Sequence, residues 1–89
     1  MTLVYLTKAA EENGAKCLSG TPGAYFWRPG WGSGANKFRI HLRGGGWCFT
    51  AEDCYSRTST NLGNTSLLPS TPASSDGVYG MMSDNESVN

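Results

Sequence analysis

The sequence has few large apolar residues and no net charge. Leu, Ile, Val and Phe make up 14 of its 89 residues. This fraction is lower than the roughly 20% that apolar burial needs to offset the loss of chain entropy. Seven basic residues balance seven acidic ones. This balance lacks the high net charge typical of disordered chains and the basic surface that nucleic-acid binding needs. We therefore expect a segment that packs incompletely by itself, with no nucleic-acid partner.

Several motifs that would define a site are also absent. There is no Cys-x-x-Cys pair, and His41 is the only histidine, so no metal site is indicated. No serine has Gly-x-Ser-x-Gly surroundings, which excludes a recognisable nucleophile elbow. No run approaches the ~20 apolar residues of a membrane span, and residues 1–6 are too short for the apolar part of a signal peptide. We expect no metal, cofactor or membrane partner.

Two short helices are predicted. Residues 7–13 favour a helix, with Thr7 as its N-terminal cap and Gly14 as its left-handed C-terminal residue. Thr50 and Asp53 are spaced as in a capping box, with acidic residues in the first turn. This second pattern predicts a helix over about residues 51–60.

Two strands are predicted between these helices. Residues 24–28 are short and aromatic, which suits a strand. Residues 37–43 alternate, with Phe38, Ile40 and Leu42 on one face. The glycine-rich loop between the two segments predicts a β-hairpin.

The last third of the sequence differs in composition. From Asn61 onward Ser, Thr, Pro, Asn and Gly dominate, which predicts loop. We therefore divide the chain into residues 1–63, part of a folded domain, and residues 64–89, a Ser/Thr/Asn-rich segment. Asn64 and Asn85 each begin a match to the N-glycosylation pattern, which is typical of secreted proteins but also arises by chance in such a composition.

The strongest chemical signal is the run Gly44-Gly45-Gly46, followed by Trp47 and Cys48. Between a predicted strand and a capped helix, such glycines leave backbone N–H groups accessible to a substrate oxygen. Esterases use a loop of this kind as an oxyanion hole, which stabilises the negative oxygen of a tetrahedral intermediate. The alternative is a simple flexible turn. Trp47, beside the glycines, is interpreted as part of a pocket wall.

The three cysteines allow one bridge within the chain. A Cys48–Cys54 disulfide would hold the glycine turn against the second helix; the alternative is two free thiols in a reducing cell. Cys17 would then need a partner beyond residue 89. His41, in the middle of a predicted strand, and Ser33, between two glycines, are interpreted as structural and loop residues rather than as a general base and a nucleophile.

An ordered series of sequence blocks resembles the N-terminal part of the pectin acetylesterase family, which includes the lipid esterase Notum. The blocks are Gly14 to Pro22, Ala24 to Phe26, Gly32 to Lys37, Gly44 to Cys48, and Cys54. The resemblance implies an α/β protein: the N-terminal, incomplete portion of an α/β-hydrolase-like fold. It also implies secretion to the extracellular space or cell wall, and ester hydrolysis by a Ser-His-Asp triad that lies downstream of this region.

For this chain the resemblance implies an oxyanion loop at Gly44, Gly45 and Gly46, the Cys48–Cys54 bridge, and a distant partner for Cys17. Arg43 departs from the acidic residue usual before the glycines, and Ser19 from the usual Asp. The leading hypothesis is a fragment of a carboxylesterase acting on acetylated pectin or another acylated carbohydrate. The alternatives are a non-catalytic carbohydrate-binding or vestigial module and a Notum-like lipid-ester hydrolase.

Overall fold

A computed structural model describes residues 1–70 of the chain, which contain two short strands and two short helices. In chain order they are β1 (Thr2–Tyr5), α1 (Thr7–Asn13), β2 (Ala24–Trp27) and α2 (Ala51–Ser56). Single 3-10 turns follow β2, α2 and the loop after α2, at Gly32–Gly34, Arg57–Ser59 and Thr65–Leu67. This arrangement fits part of an α/β fold. Asn85 lies outside the described residues, and the proposed boundary at 63/64 stays a prediction.

The sheet joins the N-terminus of the chain to the aromatic segment. β1 and β2 pair antiparallel, with Thr2 opposite Trp27 and Tyr5 opposite Ala24. The N–H of Leu6, the single residue between β1 and α1, donates to the carbonyl of Gly23 at 2.7 Å. Helix α1 is thereby attached to the end of the sheet.

The predicted hairpin is wrong, because β2 pairs with β1 and not with residues 37–43. Residues 37–43 have no regular secondary structure. Phe38, Ile40 and Leu42 are 83–90% exposed. Alternation produces a strand only where a neighbouring strand completes the backbone hydrogen bonds, and no strand within residues 1–70 does so for this segment.

Helix α1 confirms its predicted range but not its predicted start. Leu6 occupies the N-cap position and no side chain caps the helix. Thr7 is already helical because a single residue separates the helix from β1, so its predicted capping role is wrong. At the other end Gly14 is left-handed, with φ of 69°, and its N–H closes the helix onto the carbonyl of Ala10 at 3.2 Å.

The start of α2 confirms the predicted cap. Thr50 Oγ1 accepts a hydrogen bond from the N–H of Asp53 at 3.0 Å. The Asp53 carboxylate accepts from the N–H of Phe49 at 3.3 Å, one residue before the position that a standard capping box would use. The helix therefore begins with both its side-chain cap and the chain entering it held in place.

Helix α2 ends four residues earlier than predicted, and hydroxyl groups account for the difference. Ser56 Oγ donates to the carbonyl of Asp53 at 2.7 Å, and Thr58 Oγ1 donates to that of Tyr55 at 2.7 Å. Such bonds compete with the backbone ladder and favour tighter turns. The chain accordingly continues as a 3-10 turn at Arg57–Ser59.

Very little of the described chain is buried. Ala10 is its only buried hydrophobic side chain, at 4% exposure, and Thr65 its only buried polar one, at 7%. Thr65 Oγ1 donates to the carbonyl of Pro22 at 2.7 Å, and the hydroxyl of Tyr5 donates to the carbonyl of Thr65 at 3.1 Å. These hydrogen bonds, more than an apolar core, join the segment after α2 to the sheet.

Gly63 lies close against the backbone of Arg57, within the segment after α2. A Cβ at this position would lie 2.5 Å from the carbonyl oxygen of Arg57, so only glycine fits. The carbonyl of Gly63 accepts from the N–H of Ser19 at 3.0 Å, and the Ser19 hydroxyl lies 2.8 Å from that of Thr21. Ser19 is thus built into a local hydrogen-bond network.

A pair of threonine substitutions distinguishes the two helix starts. Thr50→Ala removes the acceptor for the Asp53 N–H, so we expect the free energy of local opening at that amide to fall by about 1 kcal/mol, the usual cost of a lost cap. Thr7→Ala should leave α1 unchanged, since Thr7 caps nothing. Amide hydrogen exchange of the 89-residue chain, followed by NMR, measures both. Equal losses in the two helices would contradict the assignment.

Candidate functional site

The backbone of the glycine run makes a sharp, left-handed turn. Gly46 has φ of 80° and Trp47 has φ of 55°. Glycine adopts this region at little cost, but a bulky residue such as Trp rarely does, and such strain persists only where the surroundings impose it. Gly44 and Gly45 are exposed, with no atom within 4 Å of the position of an added Cβ. The turn is therefore open on one side and constrained on the other.

The constraint comes largely from Arg57, a residue that the sequence reasoning did not single out. Its guanidinium donates to two backbone carbonyls of the turn: Nη1 to that of Gly45, and Nη2 to that of Trp47 at 2.7 Å. Its Nε lies 4.0 Å from the carboxylate of Asp53, one helical turn earlier. The only sequence signal for this role is the i, i+4 spacing of Asp53 and Arg57.

A disulfide adds a covalent constraint at the same place. Cys48, directly after Trp47, is bonded to Cys54 of α2, and their Cα atoms lie 5.1 Å apart. The sequence reasoning favoured this bridge. Cys17 is a free, partly exposed thiol whose Sγ lies 3.8 Å from the carbonyl oxygen of Pro22. Its pairing beyond residue 89 stays a prediction.

The amides of the glycine run are available for hydrogen bonding. Within residues 1–70, no backbone carbonyl accepts from the N–H of Gly44, Gly45 or Gly46. Exposed N–H groups in a constrained turn attract an anionic or partly negative oxygen. The arrangement can therefore stabilise negative charge on a ligand.

The roles predicted for Trp47 and Asn64 stay predictions, and His41 and Ser33 belong to other segments of the chain. Trp47 is 82% exposed, and its place in a pocket wall stays a prediction. Asn64 Nδ2, the atom to which a sugar would be attached, donates to the carbonyl of Thr58 at 3.3 Å; glycosylation there is likewise a prediction. His41 and Ser33 are exposed on separate loop segments.

A surface depression of about 730 Å³ lies next to β2. Its aromatic side chains are Trp27, Trp31 and Phe38, and its cationic ones include Arg28 and Lys37. The Arg28 guanidinium lies 4.2 Å from the ring centre of Trp31, within the range of a cation–π interaction. None of the residues of the glycine turn lines this depression.

The described part of the chain offers neither a metal site nor a membrane span. Within residues 1–70, no group of three His, Cys, Asp or Glu residues is placed to hold a metal ion. No helix in this range has the length and apolar character needed to cross a bilayer.

Comparison with known proteins identifies the family. The model of the pectinacetylesterase family matches residues 1–89. The chain belongs to this family. It is 41% identical over 63 residues to Pectin acetylesterase 5 of Arabidopsis thaliana, covering 71% of this chain and 15% of that protein. It is also 41% identical over 66 residues to Pectin acetylesterase 11 of the same plant, covering 74% of this chain and 17% of that protein.

These matches confirm the resemblance read from the sequence blocks. The chain spans about one sixth of the length of these relatives. No solved structure is significantly similar to the chain.

Removal of the disulfide should loosen α2 and the turn together. In Cys48→Ser/Cys54→Ser the small loop is no longer closed, and the loop-entropy relation gives a loss of roughly 2 kcal/mol. Hydrogen exchange at the amides of α2 measures this loss. Cys17→Ser, which changes a thiol outside the loop, is the matched control and should leave that exchange unchanged. Unaltered protection in the double variant would show that the bridge is dispensable for the turn.

Proposed function

We propose that this chain supplies part of the oxyanion hole of a secreted carboxylesterase that removes acetyl groups from pectin. The observation that carries the proposal is the open, constrained turn at Gly44–Gly46, whose amides meet no backbone acceptor within residues 1–70. Membership of the pectinacetylesterase family and the names of the relatives supply the substrate class. Those names favour an acetyl ester of pectin over the lipid ester of a Notum-like enzyme.

In this mechanism the chain stabilises negative charge on the substrate oxygen and does not supply the nucleophile. A serine elsewhere in the larger protein attacks the acetyl carbonyl, with a histidine taking its proton, and the carbonyl oxygen becomes negative. The amides of the turn donate to that oxygen more strongly than to the ground-state carbonyl, which lowers the barrier. Because the chain covers about one sixth of its relatives, we place the triad in the remaining part of an α/β-hydrolase-like protein.

The exposed apolar side chains support the same proposal. Phe38, Ile40 and Leu42 alternate and are almost fully exposed, although burying side chains of this size stabilises a protein by about 1.5–3 kcal/mol each. A further strand of the larger protein, paired with residues 37–43, would bury one face of the segment. The glycine turn would then follow a strand directly, as in the loops that esterases use.

A hybrid enzyme tests the role of the turn. In Arabidopsis Pectin acetylesterase 5, the 63-residue segment that matches this chain is replaced by the residues found here, and acetate release from acetylated pectin is measured. Gly45→Pro removes one amide donor, so we expect kcat to fall about 100-fold. Gly45→Ala keeps the N–H in open space and should retain most of the activity.

Two results would contradict the proposal. One is equal activity of the proline and alanine variants in a correctly folded hybrid. The other is hydrolysis of p-nitrophenyl acetate by the 89-residue chain alone above a denatured control, since that would require a nucleophile within the chain.

A second candidate function rests on the depression beside β2. Aromatic faces stack on sugar rings, and the neighbouring cations suit a polysaccharide that bears carboxylates. The chain would then act as a non-catalytic carbohydrate-binding module. The depression is separate from the glycine turn, so the two functions can be tested independently.

Substitution of Trp31 tests this second function. Trp31→Ala removes both the stacking face and the partner of Arg28, so binding of polygalacturonate to the 89-residue chain should weaken by about 1 kcal/mol, or roughly five-fold in Kd. Tyr55→Ala, an exposed aromatic residue outside the depression, is the control. Calorimetry that detects no binding by the unaltered chain would exclude the module.

A further inference from the structure

We propose that Arg57 is a positioning residue that aims the amides of Gly46 and Cys48 at the oxyanion, alongside the amide of Gly45 that the proposed function already uses. The proposal rests on the proposed esterase function and assigns a role to a side chain outside the glycine run. Its basis is the pair of hydrogen bonds from one guanidinium to the carbonyls of Gly45 and Trp47.

The geometry of the peptide bond links these carbonyls to specific amides. In a planar trans peptide the C=O and the N–H of the next residue point in opposite directions. The carbonyl of Gly45 shares its peptide with the N–H of Gly46, and the carbonyl of Trp47 shares its peptide with the N–H of Cys48. When Arg57 binds both carbonyls, both N–H groups point away from the guanidinium.

The rigid fork of the guanidinium also fixes the two peptides relative to each other. The Nη1 and Nη2 donors of one planar group hold two carbonyls at a set separation. The peptide between Gly46 and Trp47 lies between these two peptides, and both of its flanking residues have positive φ. Arg57 therefore stabilises the left-handed turn, which a bulky residue at position 47 would otherwise disfavour.

The charge of Arg57 acts in the same direction. A cation bound at a carbonyl polarises the peptide and strengthens the N–H at its other end as a donor. The guanidinium itself stays behind the turn, tied to Asp53, so it raises the donor strength of the amides without occupying the place of the oxyanion.

Lysine cannot reproduce this arrangement. Its ammonium group is a point charge that lacks the planar fork needed to set the spacing of two carbonyls. Arg57→Lys should therefore keep the positive charge but lose the fixed relation between the two peptides, whereas Arg57→Ala should lose both.

The first part of the test concerns the turn alone and uses the 89-residue chain. In Arg57→Ala the carbonyl ¹³C resonances of Gly45 and Trp47 should shift in the direction of a lost hydrogen bond, while that of Gly44 stays in place. Lys8→Ala, which removes a charge from the exposed face of α1, should shift none of them. Unchanged resonances of Gly45 and Trp47 in Arg57→Ala would overturn the proposal whatever the activity of the larger protein.

The second part measures catalysis in the hybrid esterase described above. We expect Arg57→Ala to lower kcat about ten-fold with KM nearly unchanged, a loss smaller than that of a deleted donor because the amides remain but are misdirected. Arg57→Lys should show an intermediate kcat. Millimolar guanidinium should restore part of the activity of Arg57→Ala and none of the activity lost in Gly45→Pro.

The outcomes separate this proposal from the proposed function. Proline and alanine variants of Gly45 with equal activity in a correctly folded hybrid would refute the oxyanion role itself. A normal Gly45 series together with full kcat in both Arg57 variants would refute the positioning role alone. Should Arg57→Ala fail to fold, Arg57→Lys decides: a reduced kcat at unchanged melting temperature supports the proposal, and an unchanged kcat overturns it.

Discussion

The two hydrogen bonds from Arg57 to the turn at Gly45–Trp47 are the interaction on which the candidate site depends. They stabilise the left-handed conformation of Gly46 and Trp47. The Cys48–Cys54 bond and the capped start of α2 restrain the chain that follows the turn. A catalytic oxyanion hole needs amides that are already oriented before charge develops, and three independent constraints here converge on one short loop.

In the described chain, local constraints of this kind maintain the structure where little apolar surface is buried. With Ala10 as the only buried hydrophobic side chain in residues 1–70, the apolar contribution that normally dominates stability is small. Order comes instead from helix caps, from the hydrogen bonds of Thr65 and from one disulfide. The apolar residues of segment 37–43 are exposed in the described residues, and the chain spans only about one sixth of the length of its relatives.

Local patterns predicted local structure well. Helix α1, the left-handed Gly14 and the cap at Thr50 all depend on interactions within a few residues, which the sequence contains in full. The predicted hairpin was wrong because strand pairing depends on a distant partner. β2 pairs with β1, and residues 37–43 have no neighbouring strand within residues 1–70. The early end of α2 was not predicted either. Side-chain hydroxyls compete there with backbone hydrogen bonds, and the difference in free energy is too small to infer from composition.

The sequence by itself determined the family, the glycine run and the cysteines beside it, because these are matters of residue identity and spacing. Only the tertiary structure decided that Arg57 holds the carbonyls of Gly45 and Trp47, since the turn and the helix end must first be brought together across ten or more residues. The direction of an amide N–H depends on the orientation of its peptide plane, which the folded backbone sets and a sequence pattern does not specify.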